Sequence, residues 1–192
     1  MLMKKLVPKT LAVSMTLLSV PTFATELCFE RRYNADHLGK HPDQLVTSMT
    51  LALDPDGPVK RGSATMGLRK VPFDFRIAMT KRGDNNLYVQ EGYVEKNEGA
   101  LRGIVECDGG GFRLQKDASG VLLSIGLWPG NDSRIRMAIV PDPCGEGGRI
   151  SNSIDVVRGK DDDTFRLYAV STNVCYRLFD KIDWGAVGKV NQ

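Results

Sequence analysis

Both histidines of the 192-residue chain lie in one polar segment, which makes that segment the first candidate for chemistry. His37 and His41 are four residues apart, with Asp36 and Asp43 beside them. On a helix this spacing would place both imidazoles on one face, as in the zinc proteases. Such a site would support metal-dependent hydrolysis, with one of the two aspartates as a third zinc ligand.

The residues around the histidines argue against that chemistry. The zinc-protease motif has a glutamate directly after its first histidine, and here that residue is Leu38. Gly39 lies between the histidines and Pro42 follows the second one, so a stable helix is not expected. We therefore predict that "YNADHLGKHPDQLV" (33–46) is a polar loop in which Asp36 or Asp43 caps a short turn.

Two other polar runs are candidate sites. Asp161, Asp162 and Asp163 are contiguous, whereas a calcium loop spaces its ligands around a glycine bend, so we predict a solvated hairpin tip. The glycine-rich run "CDGGGF" (107–112) is followed by a strand-like segment instead of the helix that a phosphate-binding loop requires. The sequence therefore assigns no catalytic residue, no metal ligand and no cofactor.

Basic residues are concentrated in residues 58–82, which contain a single acidic residue, Asp74. If neighbouring strands bring them together, they form a positive patch for an anionic partner, such as lipid phosphates, an acidic glycan or an acidic protein. The alternative is a solvated edge that prevents strand pairing between molecules. The members of this predicted basic patch are Lys60, Arg61, Arg69, Lys70, Arg76, Lys81 and Arg82.

The first 24 residues have the pattern of a secretory signal. A basic start, "MLMKK", precedes an apolar run, "LAVSMTLLSV", and a small-residue cleavage site that ends at Ala24. The apolar run is about ten residues long, well short of the roughly 20 that span a bilayer. We therefore predict a signal peptide over residues 1–24 and a single domain over residues 25–192, with no membrane span.

Removal of the predicted signal changes the charge balance. Three of the 26 basic residues, Lys4, Lys5 and Lys9, lie in the signal, which contains no acidic residue. Residues 25–192 therefore hold 23 basic and 23 acidic residues. A nucleic-acid-binding domain is expected to keep a basic surplus, so the sequence argues against a nucleic-acid partner.

Alternation of apolar and polar residues is the dominant pattern in the remainder of the chain. Because successive side chains of a strand point to opposite faces, this period indicates half-buried strands. Turn-forming residues separate the runs. We predict an all-β fold, an antiparallel meander of roughly 8–10 strands that closes into a barrel, with a β-sandwich as the alternative. The clearest runs are residues 47–53, 73–80, 121–127, 134–140 and 164–170.

Four cysteines in the exported part predict two disulfides, because an oxidising compartment keeps such pairs bonded. They are Cys28, Cys107, Cys144 and Cys175, and no two of them form a C-x-x-C motif. In a meander each strand reverses the chain direction, so the number of strands between two cysteines predicts whether they lie at the same end of the sheet. With "CYRLF" (175–179) as the last strand, this count predicts the pairs Cys144–Cys175 and Cys28–Cys107.

Three segments, "CFERRY…HPDQLVTSMTL", "GIVECDGGGFRL" and "GKDDDTFRLY…C", resemble small secreted β-rich proteins of Gram-negative bacteria. The resemblance implies a bacterial, exported protein, and it supplies no catalytic or binding residues. The predicted architecture is also similar to calycin-type barrels such as lipocalins, although the G-x-W start of lipocalins is absent. Fold similarity alone does not assign a function.

Together these patterns favour a non-enzymatic binding protein of the periplasm or the extracellular space. We predict that a small apolar or amphipathic ligand binds in the barrel interior or at its mouth, where Met49, Met79 and Met137 could adapt to an irregular shape. A second hypothesis is a protein-interaction module, such as an inhibitor of a wall-degrading hydrolase, that presents the 33–46 loop to its partner. The third is the metal-dependent hydrolase described above.

Overall fold

The computed structural model describes residues 28–54, 73–97, 100–105, 109–126, 134–139 and 153–182 of the chain. The predicted signal peptide lies outside these ranges. The α-helices are α1 (Ala35–Lys40) and α2 (Thr172–Phe179), and a short 3₁₀ helix covers Lys160–Asp162. The strands are β1 (Cys28–Arg32), β2 (Val46–Asp54), β3 (Phe73–Lys81), β4 (Tyr88–Asn97), β5 (Ala100–Ile104), β6 (Gly111–Lys116), β7 (Gly120–Ile125), β8 (Arg134–Ala138), β9 (Ser153–Val157) and β10 (Thr164–Ala169).

Eight of these strands form a closed antiparallel barrel. Around the wall their order is β1-β2-β3-β4-β5-β6-β7-β10, and β10 pairs with β1 to complete the circle. An even number of antiparallel strands can close in this way without leaving a free edge. The predicted barrel is confirmed, and the β-sandwich alternative is wrong.

The other two strands form a hairpin that extends the wall beside β4. Strand β5 covers only the second half of β4, and β8 lies beside the first half, where it pairs with Val89. Gly110, just before β6, pairs with Ile135 of β8. A Cβ atom on Gly110 would lie 2.1 Å from the Arg134 carbonyl oxygen, so the strands can approach this closely only at a glycine. The hairpin thereby buries Ile135 and Met137.

Apolar side chains at alternating strand positions form the core. The alternation predicted one buried face for each of β2, β3, β7, β8 and β10, and its central positions are buried, whereas Leu53 and Ile139 are only partly buried. The largest fully buried side chains are Met49, Leu51, Phe75, Ile77, Met79, Phe112, Leu123, Ile125, Ile135, Met137, Phe165 and Leu167.

Helix α2 lies on the outside of the barrel, where the sequence predicted a last strand. Ser171 caps the helix by accepting a hydrogen bond from a backbone N–H of the first turn. Apolar residues recur at helical spacing from Val174 to Phe179. The five residues of the predicted strand are too few to show this period in the sequence. The predicted strand over "CYRLF" (175–179) is therefore wrong.

A disulfide joins β1 to α2 and differs from the predicted pairing. Cys28 is bonded to Cys175, 147 residues away in sequence, with the two Cα atoms 5.9 Å apart. The predicted pairs Cys28–Cys107 and Cys144–Cys175 are therefore wrong, and Cys107 and Cys144 lie outside the described residues. The count of strand reversals failed because the segment that contains Cys175 is a helix on the outer surface.

Helix α2 and the outer faces of β1, β3 and β4 enclose a second, smaller apolar cluster. Ala78 contributes only a methyl group there, so the helix can lie close to the strands. In the described part of the chain, no helix has the length and hydropathy needed to cross a membrane. The buried members of this cluster are Cys28, Ala78, Val89, Cys175 and Phe179.

Candidate functional site

A groove of about 640 Å³ lies on the outer face of the barrel, between α2 and strands β1, β2 and β3. We name it the outer groove. Its volume falls within the range of roughly 300–1,000 Å³ that is typical of small-molecule sites. Residues from both sides include Glu30, Ser48, Thr80, Val174 and Leu178.

The floor of the outer groove consists of two rows of side chains that cross the three strands. These positions alternate with core-facing residues, so their side chains point away from the barrel interior. One row is polar throughout, and the other ends in an alanine beneath α2. The rows, in strand order, are Glu30–Thr50–Ala78 and Arg32–Ser48–Thr80.

A β-bulge in β2 gathers three hydroxyl groups at one end of the floor. The register between β2 and β3 shifts between Val46 and Ser48, which makes Thr47 the extra residue. The Thr80 Oγ1 atom lies 2.8 Å from Thr47 Oγ1 and 2.6 Å from Ser48 Oγ. Because hydroxyl groups both donate and accept hydrogen bonds, this cluster can meet either kind of polar atom on a ligand.

Glu30 is the acidic residue among the described residues that line the groove. Its Oε1 accepts hydrogen bonds from Arg32, at 2.9 Å from Nη2 and 3.1 Å from Nε. The Thr50 hydroxyl donates to the same oxygen at 3.5 Å. Since Arg32 compensates the carboxylate, this pair adds polar groups to the floor without adding net charge.

Helix α2 provides an apolar wall with a positively charged rim. Residues at i, i+3 and i+4 share one face of a helix, and here that face borders the groove. Within the described residues, no carboxylate lies at ion-pairing distance from Arg177 or Lys181. Two uncompensated positive charges therefore border the outer groove. The groove residues are Val174, Arg177 and Leu178 of the helix and Lys181, two residues beyond its end.

Both histidines lie in residues 33–45, a segment between β1 and β2 that contains α1 and that we name the cap segment. Asn34 caps the helix, since its Oδ1 accepts a hydrogen bond from the His37 backbone N–H at 2.8 Å. The predicted loop is therefore a six-residue helix in part, and the residue that caps this helix is Asn34. The helix ends at Lys40, before the proline that would interrupt it.

The two imidazole rings have partners inside the cap segment and beside it. The rings of Tyr33, His37 and His41 stack in series, with centroid distances of 4.6 and 4.4 Å. His37 Nε2 lies 3.0 Å from Gln44 Oε1, and His41 Nδ1 lies 3.4 Å from Asp161 Oδ1. Among the described residues, no group of three or more His, Cys, Asp or Glu side chains could hold a metal ion.

Asp162 and Arg82 attach the cap segment to the barrel. The Asp162 carboxylate accepts hydrogen bonds from the backbone N–H groups of Leu45, at 2.7 Å, and Val46, at 3.2 Å. Arg82 donates to two carbonyl oxygens of the cap segment, each at 2.9 Å. Asp162 is buried, and burial raises the pKa of its carboxyl group. The predicted solvated hairpin tip is therefore wrong for Asp162.

The two aspartates of the predicted interaction loop have different environments. Asp36 forms an exposed ion pair with Lys40 at 2.9 Å. Asp43 donates its backbone N–H to Asp161 at 3.2 Å. At the base of the same segment, burial raises the pKa of Tyr33 to about 12. The segment is thus a folded cap that carries the exposed Asp36–Lys40 ion pair at its surface.

The described members of the predicted basic patch have partners within the fold. Lys81 lies 3.3 Å from the Asp84 carboxylate and 5.2 Å from the centre of the Tyr88 ring. Arg82 binds the cap segment, as described above. The patch itself stays a prediction, because four of its members, Lys60, Arg61, Arg69 and Lys70, lie outside the described residues.

The sequence did not indicate the outer groove as a site. The available signal was a cluster of hydroxyl residues, Thr47, Ser48 and Thr50, within one strand. The other half of the site requires Arg177 on a helix, where the sequence predicts a strand, and Lys181 just beyond the end of that helix. Without the helix, nothing places these two cations beside the hydroxyl groups.

The fold and site define a closed eight-stranded antiparallel β-barrel with a disulfide-linked outer helix and a groove beneath that helix. No family model matches the chain, and the comparisons with curated proteins and with solved structures also find no match. Function therefore has to be argued from the chemistry of the outer groove.

Proposed function

We propose that the protein is an exported, non-enzymatic binding protein that holds a small amphipathic molecule in the outer groove. The observation that carries this proposal is the composition of the groove, which combines a hydroxyl-rich floor, an apolar wall and a positively charged rim. Ligand sites generally pair apolar surface with a few polar groups that orient the ligand. An amphipathic molecule would satisfy all three parts of this lining.

The packing of the core favours the outside of the barrel over its interior as the binding site. The rings of Phe75 and Phe112 meet edge to face, with centroids 4.8 Å apart. A Cβ atom on Gly92 would lie 2.7 Å from the Phe75 ring, and one on Gly103 would lie 2.1 Å from the Phe112 ring. These aromatic rings occupy the space beside β4 and β5, as in a close-packed core.

Two features support export. The Cys28–Cys175 disulfide lies in a buried cluster, and disulfides persist in oxidising compartments. The signal-like pattern of residues 1–24 agrees with that environment. We therefore place the proposed binding activity in the periplasm or outside the cell.

Native mass spectrometry of the protein purified from a bacterial periplasm tests this proposal. Ser48→Trp would fill the floor of the groove, and Val174→Trp would block it from the helix side. Ser124→Trp is the matched control, because Ser124 lies on the outer face of β7 and does not line the groove. Each variant is first checked for a native thermal transition.

We expect wild type and Ser124→Trp to retain the same bound small molecule, and both groove variants to be purified without it. Equal retention by a groove variant that still folds would contradict the proposal. Wild-type protein that carries no small molecule would also count against it.

A further inference from the structure

We propose that the outer groove selects a phosphate monoester with an apolar tail, an inference that rests on the binding function proposed above. Arg177 and Lys181 border the groove without an ion-pair partner among the described residues. The Glu30 carboxylate is compensated by Arg32 at 2.9 Å. The groove therefore has two positive charges to offer to a ligand.

This charge count distinguishes among anionic head groups. A carboxylate would leave one of the two cations uncompensated, whereas a phosphate monoester carries about −1.5 to −2 charges at neutral pH. Charge-assisted hydrogen bonds from arginine and lysine to phosphate oxygens are among the stronger polar contacts in proteins. Charge complementarity thus favours a phosphate monoester over a carboxylate.

The remaining groove residues match the other parts of such a molecule. A phosphate monoester has three strong acceptor oxygens, and the hydroxyl groups of Thr47, Ser48 and Thr80 lie on the floor of the same groove. Val174 and Leu178 form the apolar wall against which an alkyl tail can pack. The contact with the tail would remove apolar surface from water and so add to the affinity.

Isothermal titration calorimetry with three eight-carbon probes tests this inference. The probes are octyl phosphate, octanoate and octanol, which each contain eight carbon atoms and differ chiefly in the head group. We expect octyl phosphate to bind at least about tenfold more tightly than octanoate at pH 7.5, since each charge-assisted contact contributes on that order. We also expect its affinity to fall from pH 7.5 to pH 5, because the second phosphate proton binds near pH 6.

Charge removal on the helix provides the residue-level test. The double variant Arg177→Gln, Lys181→Gln should lose about tenfold or more in affinity for octyl phosphate and leave octanol binding unchanged. Lys40→Gln is the matched control, because Lys40 is an exposed lysine outside the groove. All three positions are exposed, so these variants are expected to fold.

The outcomes separate this inference from the proposed function. If octanoate binds as tightly as octyl phosphate, or if the double variant binds octyl phosphate normally, the inference is wrong. In that case, if Ser48→Trp no longer binds the probes that wild-type protein binds, the groove would still be supported as the binding site. If none of the three probes binds to wild-type protein, both the inference and the proposed function are contradicted.

Discussion

Cys28 at the start of β1 is bonded to Cys175 on α2, beside the seam where the last barrel strand meets the first. The backbone carbonyl of Cys28 also accepts a hydrogen bond from the Val170 N–H at 2.9 Å. The seam itself is short, since β1 and β10 share only the pairs Phe29–Ala169 and Glu30–Tyr168. The disulfide therefore reinforces the least extensively paired junction between neighbouring strands of the closed barrel.

Replacement of both cysteines, Cys28→Ser with Cys175→Ser, should lower the free energy of unfolding by about 2–5 kcal/mol. The disulfide closes a long loop, so its loss increases the conformational entropy of the unfolded chain. It also removes the covalent link between α2 and the barrel wall. Urea unfolding followed by circular dichroism measures the change. An unchanged unfolding midpoint would show that the seam is stable without the disulfide.

Gly103→Ala should destabilise the protein by about 1–3 kcal/mol, because the added methyl group would overlap the Phe112 ring. The three nearest atoms all belong to that side chain, so the second change Phe112→Leu should restore part of the loss. Gly92→Ala should resist the equivalent rescue by Phe75→Leu, since its Cβ would also lie 2.1 Å from the Ile104 carbonyl oxygen. Thermal unfolding of the single and double variants measures both effects.

Gly39→Ala is the matched control for the two core glycines. Nothing lies within 4 Å of a Cβ atom at this position, which is within helix α1. Alanine should therefore stabilise the protein by about 0.5–1 kcal/mol through its higher helix propensity. If this control destabilised the protein as much as Gly103→Ala does, the argument from ring packing would fail.

Arg82→Ala should loosen the cap segment, because it removes two hydrogen bonds to carbonyl oxygens of that segment. We expect a loss of about 1 kcal/mol, and faster amide exchange at His41 and Gln44 than in wild type. The control, Lys40→Ala, removes only an exposed ion pair and should cost less than about 0.5 kcal/mol. Hydrogen exchange at the two amides that matched wild type would contradict this role for Arg82.

Asp162 and Asp84 should affect stability with opposite pH dependence. Burial raises the pKa of Asp162, so its contribution to stability is greatest below pH 3.8 and is lost as the pH rises through its raised pKa. A hydrogen bond from the Tyr88 hydroxyl lowers the pKa of Asp84. The contribution of Asp84 is therefore present above pH 3.8 and is lost as the pH falls through its lowered pKa.

Two asparagine variants measure these contributions. From pH 3 to pH 7, the Tm of Asp162→Asn minus that of wild type should increase, whereas the same difference for Asp84→Asn should decrease. Matched buffers at constant ionic strength isolate the titration from salt effects. Parallel trends in the two variants would refute the assignment of opposite shifts.

The barrel could be predicted from the sequence because strand alternation is a local property. The buried faces of β3 and β7, for example, follow from the residues within each strand. The disulfide pairing depends on which elements lie close in space, and one helix mistaken for a strand was enough to change it. Long-range contacts of this kind leave no pattern in a single sequence. The hydrogen bonds between the buried Asp162 and the cap segment are another example.

The outer groove could not be predicted from the sequence for the same reason, because it depends on long-range contacts. Its floor comes from three strands, and its wall comes from a helix more than 90 residues away in sequence. The spacing of the two histidines suggests a metal site when only the sequence is known. In the structure, their imidazole rings have partners within the cap segment and beside it. The protein-interaction and hydrolase hypotheses stay predictions.

Methyl-resolved NMR with a generic amphipathic anion, 8-anilinonaphthalene-1-sulfonate, tests most directly whether ligands bind outside the barrel. We predict that saturating probe shifts the methyl resonances of Val174, Leu178 and Leu87, which line the outer groove. The methyl resonances of the core residues Leu123 and Leu167 should remain in place. The largest shifts at those core residues, with the groove methyl groups unchanged, would contradict the account.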